Sequence, residues 1–218
     1  MSTQIQINKE LQRASWTGDV NAVTGALDRG ADVNARNELQ NASLHFACDF
    51  GHTEVAMILI DRGADANARN HHSITPLHVA CDVGLSEVVI ALVERGANVN
   101  ARNADRNTPL RLACGKGYNE IATVLIEGGA DVKARNEDQY TSLHVACDFG
   151  HTEVAMTLMD RGADVNTRDV DHKTPLHVAC GKGYNEIATV LIKGGADIRK
   201  VNFFQSTLEF FSAHACAV

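Results

Sequence analysis

Glycine recurs along this chain at a fixed interval. Gly30, Gly63, Gly96, Gly129, Gly162 and Gly195 stand 33 residues apart, each opening a Gly-Ala-Asp or Gly-Ala-Asn triplet. A second ladder runs through Gly18, Gly51, Gly84, Gly117, Gly150 and Gly183, so that twelve of the seventeen glycines fall on two rulers of equal pitch. Leu11, Leu44, Leu77, Leu110, Leu143 and Leu176 keep the same interval, as do Cys48, Cys81, Cys114, Cys147 and Cys180. The register does not slip over six units. A period of this length marks a stack of supersecondary modules, each unable to cover its own apolar side and burying it against the next.

One unit shows how. In Thr75-Pro-Leu-His-Val-Ala-Cys-Asp-Val-Gly84, Thr75 suits a helix N-cap and Pro76 the first helical position, where a missing N–H costs nothing. Leu77, Ala80 and Cys81 form an apolar i, i+3, i+4 stripe. Gly84 suits the left-handed residue that ends such a helix. Residues 87–95 read as a second, more apolar helix stopped at Gly96, and a polar stretch leads to the next threonine. The units then span about 8–36, 37–69, 70–102, 103–135, 136–168 and 169–201, with a truncated seventh at about 202–218, in one continuous domain. Unit one carries Lys9-Glu-Leu-Gln-Arg13 where later units carry the threonine start, as expected of a polar terminal cap.

The motif resembles that of the ankyrin-repeat family. It stands as Thr75-Pro-Leu-His78, Thr108-Pro-Leu-Arg111 and Thr174-Pro-Leu-His177, and in weaker form as Ala42-Ser-Leu-His45 and Thr141-Ser-Leu-His144. The resemblance covers about residues 8–201. It implies an all-α solenoid of helix–turn–helix units with projecting loops, and a non-enzymatic scaffold or inhibitor that binds another protein through its concave face and loop tips. It also implies that the motif histidine is structural, so a hydrogen bond between repeats should be missing or altered where Arg111 replaces it. Asn34, Asn67, Asn100 and Asn166 resemble asparagines that members of the family can have β-hydroxylated. The family's loop glycine is replaced by Gln40, Ser73, Arg106, Gln139 and His172. Either these turns take another geometry, or a side chain sits at positive φ under some strain.

Other functions lack support. The formal net charge is −7 and no Lys/Arg run occurs, so nucleic-acid binding has no electrostatic source. The longest apolar stretch, Val88–Val93, is far too short for a membrane span. The N-terminus has neither a basic nor an apolar signal region, which points to a cytoplasmic or nuclear, reduced protein. Cysteines on one ladder should lie about 8–10 Å apart, too far for disulfides, and read as small core hydrophobes. The recurring His-x-x-Cys pair supplies two ligands where structural zinc wants four. No nucleophile elbow, zinc-protease or P-loop motif occurs. No catalytic residue, metal or cofactor is expected.

The interaction surface that the resemblance implies lies at the loop tips and the solvent side of each first helix. Its helix residues are Trp16, Asp49, Phe50, Asp82, Val83, Lys116, Asp148, Phe149 and Lys182, and its tip residues include Leu39, His71, His72, Ile74 and Tyr140. Exposed aromatics with a polar rim are the usual make-up of a binding hot spot. Phe203, Phe204, Phe210 and Phe211 crowd the C-terminal segment, as a greasy cap or as a self-association site that would make the chain a self-assembling structural unit.

Overall fold

The computed structural model describes residues 2–200, and the expectations for Phe203, Phe204, Phe210 and Phe211 lie outside the described residues. Within them the chain forms twelve α-helices and one short 3-10 turn. The helices come in pairs: α1 (Ser2–Thr17) with α2 (Val20–Asp28), α3 (Ser43–Asp49) with α4 (Thr53–Asp61), and α5 (Pro76–Val83) with α6 (Ser86–Glu94). Then follow α7 (Pro109–Lys116) with α8 (Asn119–Glu127), α9 (Ser142–Phe149) with α10 (Thr152–Asp160), and α11 (Pro175–Lys182) with α12 (Asn185–Lys193). Odd helices pack on odd neighbours and even on even, in chain order. The fold is the all-α repeat solenoid. The described residues contain no strand, only an isolated bridge between Arg36 and Ala42 at the base of the first loop.

The sequence stripe becomes the core directly. Leu11, Leu44, Leu77, Leu110, Leu143 and Leu176 are fully buried, and so are Leu59, Leu92, Leu125, Leu158 and Leu191 from the second helices. Each short helix depends on its neighbours for this burial, because seven to nine residues are too few to hold a helix in water alone. Local chemistry sets the ends. Thr75 caps α5 by accepting the His78 N–H, with Pro76 in the first turn, and Gly84 closes the helix at φ 93°. All twelve ladder glycines have positive φ. At Gly84 and Gly117 a second demand applies: an added Cβ would sit 2.7 Å from the Tyr118 ring and 2.6 Å from the His151 ring, respectively.

Two details differ from the sequence reading. α1 starts at Ser2, before the expected cap boundary, and α6 covers Ser86–Glu94 where 87–95 was expected. The turn question is settled by the backbone: Gln40, Ser73, Arg106, Gln139 and His172 all lie at φ between 57° and 62°, the left-handed region that glycine tolerates best. The residue that opens each turn, an asparagine in four and Asp169 in the fifth, offsets some of this cost. Asn37 Oδ1 accepts the Leu39 and Asn41 N–H groups, and Asn70 Oδ1 those of His72 and Ile74. Gln40→Gly should therefore raise stability by about 0.5–1 kcal/mol, and Gln40→Val should lower it by about 1–2 kcal/mol. Thermal melts of the two variants check this, and equal melting temperatures would contradict the strain.

Neighbouring repeats are tied by bonds that recur in register. His78 Nδ1 accepts the Thr75 N–H (3.2 Å), so Nε2 carries the ring proton and donates to the Asn107 carbonyl of the next repeat (3.0 Å). His45 and His144 reach the carbonyls of Ile74 and Lys173 in the same way. Arg111 does not lose this tie; its guanidinium donates to the Tyr140 carbonyl at 2.9 Å. Lower on the loops, Asn34 donates to the Gly63 carbonyl and accepts the Asp65 N–H, and Asn67, Asn100 and Asn166 repeat the pattern.

Candidate protein-binding face

Position follows from the repeat. The residue just before the closing glycine of each odd helix cannot face the core, because the leucine, alanine and cysteine of that helix already do. Phe50, Val83 and Phe149 occupy this place, Lys116 and Lys182 fill it in repeats four and six, and Trp16 stands one position earlier in repeat one; Trp16, Phe50, Val83 and Phe149 are 53%, 48%, 36% and 58% exposed. Four exposed apolar side chains therefore stand at the first-helix ends of repeats one, two, three and five. Trp16 and Phe50 meet edge to face at 5.7 Å, and Phe50 and Phe149 stack on His52 and His151. Those histidines are themselves fixed, with Nε2 hydrogen-bonded to the Trp16 and Gly115 carbonyls at 3.0 Å. The set is rigidly mounted and exposed.

Its charges are partly internal. Lys116 Nζ lies 3.4 Å from Asp82 and Lys182 Nζ lies 3.1 Å from Asp148, while Asp49 is exposed beside Phe50 with no cation in salt-bridge range among the described residues. Sequence spacing carried this signal, since each lysine follows its aspartate by one repeat plus one residue. Exposed pairs like these add at most about 1 kcal/mol to stability, but they mute the acidic flank that the set would otherwise show a partner.

The loop tips are less uniform than the helices. Leu39 is 59% exposed, and His71 and His72 are exposed as well. Successive tips are joined by backbone bonds from His71 N–H to the Leu39 carbonyl, Ala104 to His72 and Val170 to Asp138. Ile74 and Tyr140 are half-buried and take part in the frame instead, their carbonyls receiving His45 and Arg111. Between the third and fourth tips the pattern breaks. No bond joins the Glu137 N–H to the Asp105 carbonyl, and the Asn136 amide turns to Asp138 Oδ2 at 3.3 Å. Asn107 Oδ1 is left buried without a partner, whereas the matching Asn41 Oδ1 accepts from Asn70.

The side chains that invited metal or thiol chemistry are otherwise engaged. Both ring nitrogens of His45, His78 and His144 hold backbone groups. Cys48, Cys81, Cys114 and Cys147 are free and buried, and burial pushes the thiols of Cys48 and Cys114 up to about 12. Such thiols are poor nucleophiles at neutral pH. Among the described residues no group of three or more His, Cys, Asp or Glu is placed to hold a metal ion, and no helix is long and apolar enough to cross a membrane.

A family model for ankyrin repeats, three copies long, matches residues 11–103 and again 110–202. The chain belongs to the ankyrin-repeat family. Among curated proteins, a probable E3 ubiquitin-protein ligase, XBOS33 of Oryza sativa subsp. japonica, is 41% identical over 54 residues, a quarter of this ankyrin chain. The matched stretch spans about a tenth of that relative's length. Ankyrin repeats are recognition modules, so the family points to a protein partner.

Proposed function

We propose that this ankyrin stack is a non-enzymatic scaffold or inhibitor that binds a partner protein through its concave face, with Trp16, Phe50, Val83 and Phe149 as apolar anchors and the tip residues Leu39, His71 and His72 as the second contact line. The observation that supports this reading is the set of four apolar side chains exposed at the first-helix ends of repeats one, two, three and five, on a frame of six repeats. Aromatic anchors fixed before binding lose little side-chain entropy when they dock, which is what concentrates affinity in a few residues. The ligase activity named for the Oryza sativa relative forms no part of this reading, because the shared stretch is 54 residues.

The test separates binding from folding. Phe50→Ala combined with Phe149→Ala should weaken capture of the native partner by about tenfold or more, while the denaturant midpoint shifts little, since both residues are about half exposed. A large loss of stability with unchanged capture would make them structural residues and remove the proposal.

A further inference from the structure

Three kinds of bond recur between successive loops, and all three are missing between repeats four and five. The asparagine tie joins Asn34 to Gly63, Asn67 to Gly96, Asn100 to Gly129 and Asn166 to Gly195. Lys133 stands in its place in repeat four, and no side chain there holds the Gly162 carbonyl or the Asp164 N–H. The arginine tie runs from Arg36 to the Arg69 carbonyl at 3.0 Å and from Arg69 to that of Arg102, and it stretches to 3.5 Å from Arg102 to Arg135. Arg135 itself turns back to Gln139 Oε1 of its own loop. The tip bond from Glu137 to Asp105 is the third loss, and Asn107 Oδ1 lies buried beside it without a partner. On the loop side, Arg111 to the Tyr140 carbonyl and a 3.8 Å pair between Arg106 and Glu137 still cross. The first helices leave a groove over Gly115, where repeats two, three and five carry Asp49, Asp82 and Asp148; a Cβ at 115 would come within 3.1 Å of Val145 Cγ1. The second helices, by contrast, are firmly joined. Asn119 donates to Glu153 and accepts from Thr157, both at 2.8 Å, and Arg161 pairs with Glu127 at 3.1 Å.

We propose that the joint between repeats four and five is a hinge, whose loops part while α8 and α10 stay in contact, so that repeats five and six swing against repeats one to four. Opening follows the side with the fewest bonds, because local stability is set by the contacts that must be broken. A few loop residues then absorb the motion, as in other hinged proteins. The inference goes beyond the binding reading and does not depend on it: it concerns how far apart the tips on either side of the joint can stand. One residue does much to loosen the joint. The Lys133 N–H is held by Asp131 at 2.9 Å, as the Asn100 N–H is by Asn98 at 3.0 Å. The backbone at 133 therefore makes the same turn, and an asparagine there would meet Gly162 and Asp164 as its counterparts meet theirs.

Pulsed electron–electron distance measurements between nitroxide labels on the full chain test this. Cys180 and Cys216 are changed to Ser throughout, since Cys48, Cys81, Cys114 and Cys147 are buried. One pair of exposed tip labels, Leu39→Cys with Asp105→Cys, lies two repeats apart on the tied side; the other, Asp105→Cys with Asp171→Cys, has the same spacing and spans the hinge. The second pair should show a longer-distance component that the first lacks. Lys133→Asn should reduce that component about fivefold, the effect of about one added hydrogen bond, and Lys133→Ala, which adds no amide, should leave it unchanged. Matching distributions for the two pairs would overturn the hinge. So would a long component that Lys133→Asn leaves untouched, or one that Lys133→Ala removes equally well.

Discussion

Leu110→Ala is expected to lower the unfolding free energy by about 2–5 kcal/mol, through lost transfer energy and the cavity left behind. Leu110 lies in α7, fully buried, and α7 packs on both α5 and α9. It therefore serves two interfaces, so the stack loses cohesion on both sides of repeat four. In a solenoid, stability is roughly the sum of unit and nearest-neighbour contributions, and weakening a middle unit can uncouple the halves. Urea titration followed by circular dichroism should show the loss and a broader or split transition. A loss below about 1 kcal/mol would contradict the burial that the whole repeat argument uses.

The second large effect is acid sensitivity. Burial holds the imidazoles of His45, His78 and His144 below the usual range, and their hydrogen bonds to the Ile74, Asn107 and Lys173 carbonyls pull the other way more weakly. Protonation would also place a proton on Nδ1 against the N–H of Ala42, Thr75 or Thr141. The unfolded chain takes up protons near pH 6.5, and the folded chain only at lower pH. The stability tied to these neutral rings is complete above pH 6.5 and is lost as the pH falls through that value toward the folded ones. Each ring contributes a slope of at most about 1.4 kcal/mol per pH unit, so the three together approach about 4 kcal/mol per unit at the steepest point. Denaturant titrations between pH 7.5 and 5 would measure it. His78→Arg, which copies the donor that Arg111 supplies in repeat four, should remove about a third of that slope; an unchanged slope would show that the acid effect lies elsewhere.

Much of this architecture was available from spacing alone. A threonine before proline, an apolar stripe of three and a glycine nine residues after the threonine define a capped helix without tertiary information, which is why α5 and its closing Gly84 match the sequence reading. The early start of α1 was hidden because Ser2–Lys9 carries only two apolar residues, Ile5 and Ile7, spaced two apart, too few to show a helical stripe. Arg111 shows another limit. Sequence could say that a histidine was missing, but only three-dimensional distance shows that a longer side chain reaches the Tyr140 carbonyl from the same helical position. The open space over Gly115 was missed for a related reason. Gly115 reads as one more small residue near a helix end, and its meaning depends on Val145 one repeat away.

The inter-repeat ties all span about one module, as when His45 reaches Ile74 and His78 reaches Asn107, each 29 residues ahead. If residues 70–102 were excised, Arg69 would join Asn103, and His45 would meet the Asn107 carbonyl that His78 holds in the intact chain. Every coupling would find an equivalent acceptor in the shortened protein. Length in this molecule is thus an adjustable quantity, counted in whole modules, and chains of different reach can share one set of joints.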